Sequence, residues 1–322
     1  MINNDIWIIG AGGMATEYSK VLKALNVNFI TIGRSKENCD IYFESTGLSA
    51  IQGGIKPFME TNPVATEAAI VSVGIEALAE TTVQLLEFGV KYILLEKPGI
   101  GYVEEIYDLC RLAKQKNATI LLAYNRRFYA SVQKAKALIQ ADGGVSSFQF
   151  EFTEWSHKIG SLQKSAAEHN NWFLGNSTHV IDTAFFLGGK PSEMSSYASG
   201  GLDWHPASSI FSGAGISEDG ALFSYNANWE APGRWVIEML TKKHRFIFKP
   251  LETLQVQEIG SVSVNPVEID DSLDTRFKPG LYLQTKAFLE KNCTNFCTIF
   301  EQKEMIDNFY IKMAGYVKRK KA

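Results

Sequence analysis

The sequence predicts an α/β protein of two domains: a doubly wound parallel sheet over residues 1–125, then an α+β domain with a mainly antiparallel open sheet over residues 126–322. Three observations predict it. Up to about residue 128, short apolar runs alternate with stretches of helical period, the pattern of parallel strands covered by helices on both faces. After about residue 144 the pattern turns to strict alternation, which suits a sheet with one covered face. The chain has 322 residues, 45% hydrophobic and 21% charged, enough for two cores at roughly 100–200 residues per domain.

The elements follow in order. Ile6-Trp7-Ile8-Ile9 is the first strand, and Met14 to Leu25 is a helix with Met14, Tyr18, Val21, Leu22 and Leu25 on one face. Asn28 to Ile32 is the second strand. Ala69-Ile70-Val71-Ser72-Val73, Tyr92-Ile93-Leu94-Leu95 and Thr119-Ile120-Leu121-Leu122-Ala123 are further buried strands, separated by helices near 76–88 and 103–117. Ser147-Phe148-Gln149-Phe150-Glu151-Phe152, Ala221 to Tyr225 and Trp235 to Met239 are alternating strands of the second domain. A helix near Ser177–Leu187 interrupts them, and another near Leu281–Lys291 follows.

Composition excludes several classes. A net charge of −3 and a pI near 6.0 argue against a general nucleic-acid binder, and the basic tail Lys318-Arg319-Lys320-Lys321 reads as a solvated helix end. Cys39, Cys110, Cys293 and Cys297 form no zinc set, and the five histidines at 157, 169, 179, 205 and 244 show no i, i+4 pair, so no catalytic metal is expected. No run of about 18 apolar residues occurs. Met1-Ile2-Asn3-Asn4-Asp5 lacks the basic flank and cleavage site of a signal peptide, so a cytoplasmic location is expected.

The first motif with chemistry is Gly10-Ala11-Gly12-Gly13-Met14-Ala15, which matches G-x-G-x-x-G/A between a strand and a helix. Gly10 permits the tight turn, Gly12 lets the backbone approach a pyrophosphate, and Ala15 lets helix and strand pack closely, while the helix N-terminus favours the anion. This is the dinucleotide fingerprint of a Rossmann domain. An acid about twenty residues on would hold the ribose 2′-hydroxyl of NAD; Gly33-Arg34-Ser35 stands there instead. Arg34 and Ser35 suit a 2′-phosphate, so NADP is expected over NAD, the alternative being a solvated arginine with NAD bound.

The strand 92–95 ends in Glu96-Lys97-Pro98, and ligands of a doubly wound sheet bind at the carboxyl ends of its strands. With the glycine fingerprint, this motif, Asn125-Arg126-Arg127-Phe128, His179-x-x-Asp182 followed by Leu187-Gly188-Gly189, and Lys278-Pro279-Gly280-Leu281-Tyr282-Leu283-Gln284 make the chain resemble the Gfo/Idh/MocA oxidoreductases over nearly its whole length. The resemblance implies hydride transfer between a nicotinamide cofactor and a sugar-like carbinol, a homodimer or homotetramer built on the open sheet, and Lys97 in the substrate pocket after a peptide bond to Pro98 that is commonly cis. A lysine ammonium orients the reacting oxygen and stabilises developing alkoxide charge; the bland alternative is a surface lysine closing a strand.

His179 is placed to exchange a proton with a substrate hydroxyl, with Asn176-Ser177-Thr178 before it as helix caps. A structural histidine is the alternative. Asp182 is expected to cap or orient. Arg126 and Arg127 suit a carboxylate or phosphate, Trp172 a sugar ring or base, and Tyr124 and Asn125 the lining of the same cleft; a surface pair and a core aromatic are the plainer readings. The chain departs from the family at Gly175, where many members carry an aspartate four residues before this histidine. Three activities are compatible: a dehydrogenase or reductase of sugars or nucleotide-linked sugars, a redox-cycling lyase or glycosidase that retains its nicotinamide, and a non-catalytic cofactor sensor.

Overall fold

The computed structural model describes residue 2 and residues 5–316; the basic tail at 318–321 lies outside the described residues. The chain forms two compact units, one of residues 1–125 with 273–303, the other of residues 126–272 with 304–322.

The first unit is built on β1 (Ile6–Ile9), β2 (Phe29–Gly33), β3 (Ala50–Gln52), β4 (Ala68–Val71), β5 (Tyr92–Leu95) and β6 (Thr119–Leu122), all mutually parallel. Their order across the sheet is β6-β5-β4-β1-β2-β3, so the direction of winding reverses between β1 and β4. The crossovers are α1 (Gly13–Ala24), α2 (Lys36–Thr46), α3 (Ile55–Glu60), α4 (Leu78–Phe88) and α5 (Glu105–Lys116). Strands β1, β4 and β5 are buried at every position, which is why they read as continuous apolar runs. The short β3 carries one part-buried and two exposed side chains and left no apolar signal.

The segment 273–303, read from the sequence with the second domain, packs in the first unit. Helix Leu281–Leu289 lies against α1, and the two-residue strand Cys297–Thr298 pairs antiparallel with β6. These are pairings over more than 150 positions of sequence, which local periodicity does not report.

The second unit is an eight-stranded sheet in the order β14-β13-β12-β11-β7-β10-β9-β8, with β7 (Ser147–Glu151), β8 (Pro191–Ser199), β9 (Ile210–Ser217), β10 (Leu222–Asn228), β11 (Val236–Leu240), β12 (His244–Phe248), β13 (Gln255–Glu258) and β14 (Asn265–Pro266). All neighbours are antiparallel except β7 and β10. The covered face stacks Phe148, Phe150, Phe152, Phe223 and Tyr225, with ring centroids 5.3–6.4 Å apart, under Phe185 of the overlying helix. The helices of this unit include α6 (Ala130–Ala141), α7 (Ser156–Ile159), α8 (Ala166–Asn170) and α9 (Thr178–Gly188), the last preceded by a π-helical turn, Phe173–Ser177. Among the described residues, no helix is long and apolar enough to cross a membrane.

Candidate active site

In the first unit the chain leaves β1 into Gly10, whose φ of +117° an L side chain rarely adopts. A Cβ there would lie 2.6 Å from the Ser72 carbonyl oxygen beyond β4. The turn therefore sits at the reversal point of the sheet, where such folds bind their ligands. Gly12, the residue before α1, has extended backbone and no side-chain cap, and a Cβ on Gly12 or Gly13 would meet nothing within 4 Å. Met14 is part-buried and Ala15 fully buried against the sheet. The first turn of α1 thus offers open main chain and no acidic residue, an environment suited to an anion.

Arg34 is exposed at the end of β2, and Ser35 caps α2 by accepting the Asn38 N–H at 3.4 Å. Gly33 is held tight: a Cβ would fall 2.4 Å from Cys39 Sγ.

Beyond β5, the Lys97–Pro98 peptide bond is cis. Glu96 Oε1 accepts from the Tyr18 hydroxyl at 2.8 Å, and the same hydroxyl lies 3.4 Å from Gln284 Oε1. Burial pushes the Glu96 carboxyl up, against the pull of the Lys97 ammonium, the Tyr18 hydroxyl and Lys278. Burial and the Glu96 carboxylate hold the Tyr18 phenol well above its ordinary value. The sequence did not show that Tyr18, Gln284 and Lys278 gather around Glu96: Tyr18 reads as one more apolar-face residue of α1, and the other two stand in the motif 278–284 far along the chain. Tyr124 and Asn125 are interior here, the Tyr124 hydroxyl donating to Gln302 Oε1 at 3.1 Å and the Asn125 amide to the Pro279 carbonyl at 2.9 Å.

In the second unit the two arginines separate. Arg127 donates from Nε and Nη2 to the two Asp182 carboxylate oxygens at 2.8 and 2.7 Å, a fork largely out of water, with side chains 13% and 4% exposed. Asp182 therefore anchors the turn 125–128 to α9. Arg126 lies over the rings of Trp235 at 4.8 Å and Tyr129 at 5.7 Å, and its Nε is buried with no hydrogen-bond partner among the described residues. Burial lowers its pKa, while Tyr129, Glu252 and Glu154 oppose that; a guanidinium keeps its charge regardless.

His179 is buried in the first turn of α9, its ring 6.4 Å from that of Trp235. The residues before it do not cap the helix. The chain enters α9 through the π-helical turn with Ser177 already in helical geometry, so the side chains are spent elsewhere. Thr178 bonds the Leu174 carbonyl, and Asn176 and Ser177 donate to Glu154 Oε1 at 2.9 and 2.8 Å. Glu154, Arg234 and Trp235 are further residues of this cluster that sequence reading missed. Both Glu154 and Trp235 continue the buried phase of an alternating strand, after 148, 150 and 152 and before 237 and 239; a carboxylate on that phase was the signal available.

Trp172 is part-buried in an aromatic cluster with Trp204, whose ring lies at 6.0 Å, and His169 at 6.3 Å; Trp204 stacks on Trp229. Among the described residues, no three His, Cys, Asp or Glu side chains are grouped to hold a metal ion.

The whole chain superposes on solved oxidoreductases. A levoglucosan dehydrogenase in complex with NADH and L-sorbose matches with a TM-score of 0.77 at 18% identity, over 98% of this chain and 97% of that one. The chain shares the fold of that dehydrogenase. A UDP-N-acetylglucosamine 3-dehydrogenase from Acidithiobacillus ferrooxidans matches with a TM-score of 0.71 at 14% identity over 98% of both chains. An oxidoreductase from Agrobacterium radiobacter in complex with NAD+, L-tartaric acid and magnesium matches with a TM-score of 0.75 at 10% identity over 96% of both. By sequence, an uncharacterized oxidoreductase of Schizosaccharomyces pombe is 30% identical over 129 residues, which is 39% of this chain and 35% of that protein. No family model matches the chain.

Proposed function

We propose that this chain is a nicotinamide-dependent oxidoreductase of the Gfo/Idh/MocA type, acting between the carbinol and ketone forms of a sugar or nucleotide-linked sugar. The observation that carries the reading is the open glycine turn at the reversal point of the sheet, where Gly10 excludes any Cβ and Gly12 and Gly13 leave main chain exposed. These residues fit a dinucleotide. Gly10–Ala15 would hold its pyrophosphate, and Arg34 and Ser35 a ribose 2′-phosphate, since a hydroxyl that accepts from Asn38 can still donate. When bound, the nicotinamide supplies a hydride acceptor or donor.

The protein supplies charge and proton handling. Lys97, beside Glu96 at the end of β5, orients the reacting oxygen and stabilises negative charge growing on it. His179 takes or returns the hydroxyl proton. Arg126 suits an acidic group of the substrate and Trp172 its ring, whereas Arg127 acts through Asp182. The apolar side chains left exposed on the sheet, Tyr197, Ile210, Ile216 and Leu222, support assembly with further copies of the chain.

The test is a screen of free and nucleotide-linked sugars with NADP and NAD, followed by nicotinamide absorbance. On the best substrate, Lys97→Met should lower turnover at least about 100-fold with cofactor affinity retained, and His179→Ala should lower it by about 100-fold. Undiminished turnover in both variants would place the chemistry elsewhere.

A further inference from the structure

Cations and rings of the second unit are stacked into one cluster. Arg126 lies over the rings of Trp235, at 4.8 Å, and Tyr129, at 5.7 Å, and Arg234 lies over Trp235 at 4.5 Å. Two donors of this cluster have no acceptor: Arg126 Nε and Trp235 Nε1 are both buried without a hydrogen-bond partner among the described residues, Trp235 being 7% exposed as a whole. A guanidinium and an indole N–H can only donate, so no rotation or change of tautomer satisfies them. Buried polar groups that pair with nothing in the protein are few, and each calls for a partner.

The adjacent arginine shows the same group closed by the protein itself. Arg127 meets the two Asp182 oxygens at 2.8 and 2.7 Å, whereas no carboxylate among the described residues lies within ion-pair distance of Arg126. Glu154 and Glu252 act on Arg126 only from further away. Glu252 is exposed, and Glu154 is engaged elsewhere: its Oε1 accepts from Asn176 and Ser177, and its Oε2 faces Arg234 Nη1 at 3.7 Å. Stacking on the rings offsets part of the cost of burying the charge but leaves the N–H fork unused. The cluster adjoins a candidate catalytic group, since the Trp235 ring lies 6.4 Å from that of His179.

We propose that Arg126 and the Trp235 N–H form an anion site that fixes the substrate class: the sugar carries a carboxylate or a phosphate, and the Arg126 fork takes that group. The inference rests on the reading of the chain as a sugar oxidoreductase, but it is measured by binding and not by turnover. The full chain, with NADP present, is titrated calorimetrically with D-glucose and D-galactose as neutral references, with D-glucuronate and D-galacturonate as carboxylates, and with the two hexose 6-phosphates and the two UDP-hexoses as phosphates.

At least one acidic sugar should bind about 30-fold more tightly than its neutral parent, the scale of a charge-assisted two-pronged hydrogen bond, and the arm in which it falls tells carboxylate from phosphate. Arg126→Met should reduce that ratio to about threefold or less, and Arg126→Lys, which keeps a point charge and loses the fork, to about tenfold. Trp235→Phe, which keeps a ring and loses the N–H, should reduce it by about threefold. Acids bound no better than their neutral parents in every arm overturn the proposal, as does a folded Arg126→Met that keeps the preference. If that variant fails to fold, an unchanged ratio in Arg126→Lys overturns it. Loss of the oxidoreductase reading would show separately, as an acidic sugar that binds through Arg126 yet exchanges no hydride with NADP or NAD.

Discussion

The two units build their candidate groups from opposite materials. At the reversal point of the first sheet the useful surface is main chain: Gly10 has no room for a Cβ, while Gly12 and Gly13 have nothing near them. In the second unit the surface is made of large buried side chains, Arg126 on Trp235, Glu154 under the π-helical turn and Arg127 locked to Asp182. The first arrangement is damaged by adding atoms and the second by removing them. Main chain is positioned by the sheet at no cost in side-chain entropy, whereas a buried charge holds its place only while its partner remains.

The largest effect that tests this contrast is in the glycine turn. Gly12→Val should abolish dinucleotide binding, read by titration of cofactor fluorescence, with a melting temperature close to that of the parent, because the new side chain meets only solvent or ligand. Gly10→Ala should lower stability as well, by about 3 kcal/mol, since its Cβ would displace main chain at Ser72. If Gly12→Val unfolds the protein and Gly10→Ala does not, the assignment of open and closed sides of the turn is reversed.

In the second unit, Arg127→Ala removes the two-pronged ion-pair partner of a buried carboxylate and should cost about 3 kcal/mol in chemical denaturation, while Arg127→Met combined with Asp182→Leu should recover much of it. An additive loss in the double variant would count against the pair as the anchor of this turn. Smaller still, Arg34→Ala should weaken NADP about tenfold and NAD much less, from the loss of one charge-assisted contact at an exposed site. Equal losses would mean that Arg34 meets the adenine instead.

The smallest effect concerns pH. Burial alone would raise the Asp142 carboxyl at the end of α6, but hydrogen bonds from His244 and Thr241, at 2.7 and 2.8 Å, hold it below its ordinary value. Because its folded pKa is depressed, its contribution is present above the unfolded pKa and lost as pH falls through the folded one. Asp142→Asn should therefore cost about 1 kcal/mol at neutral pH, a gap that narrows as pH falls below about 4, the unfolded value, and closes only below the depressed folded one. A gap independent of pH would assign the loss to packing.

What could be read from the sequence follows the same division. Strands β1, β4, β5 and β6, the helices between them and the turn Gly10–Ala15 were legible because each is fixed by residues adjacent in the chain: apolar runs for strands buried on both faces, glycine for a positive φ and for close approach. The positions of Lys97 and His179 came from motifs of a few residues each. Only the tertiary structure decided that 273–303 belongs with the first unit, because a helix packed on α1 and a strand beside β6 are pairings between distant segments. Only it decided that Arg127 is committed to Asp182 while Arg126 is not, since two adjacent arginines are indistinguishable until the fold brings a carboxylate to one of them. The same holds for Glu154, which reads as one acid among 35 Asp and Glu until the sheet sets it under the turn before His179; where a charge is buried depends on what packs over it, and that is not written in its neighbours.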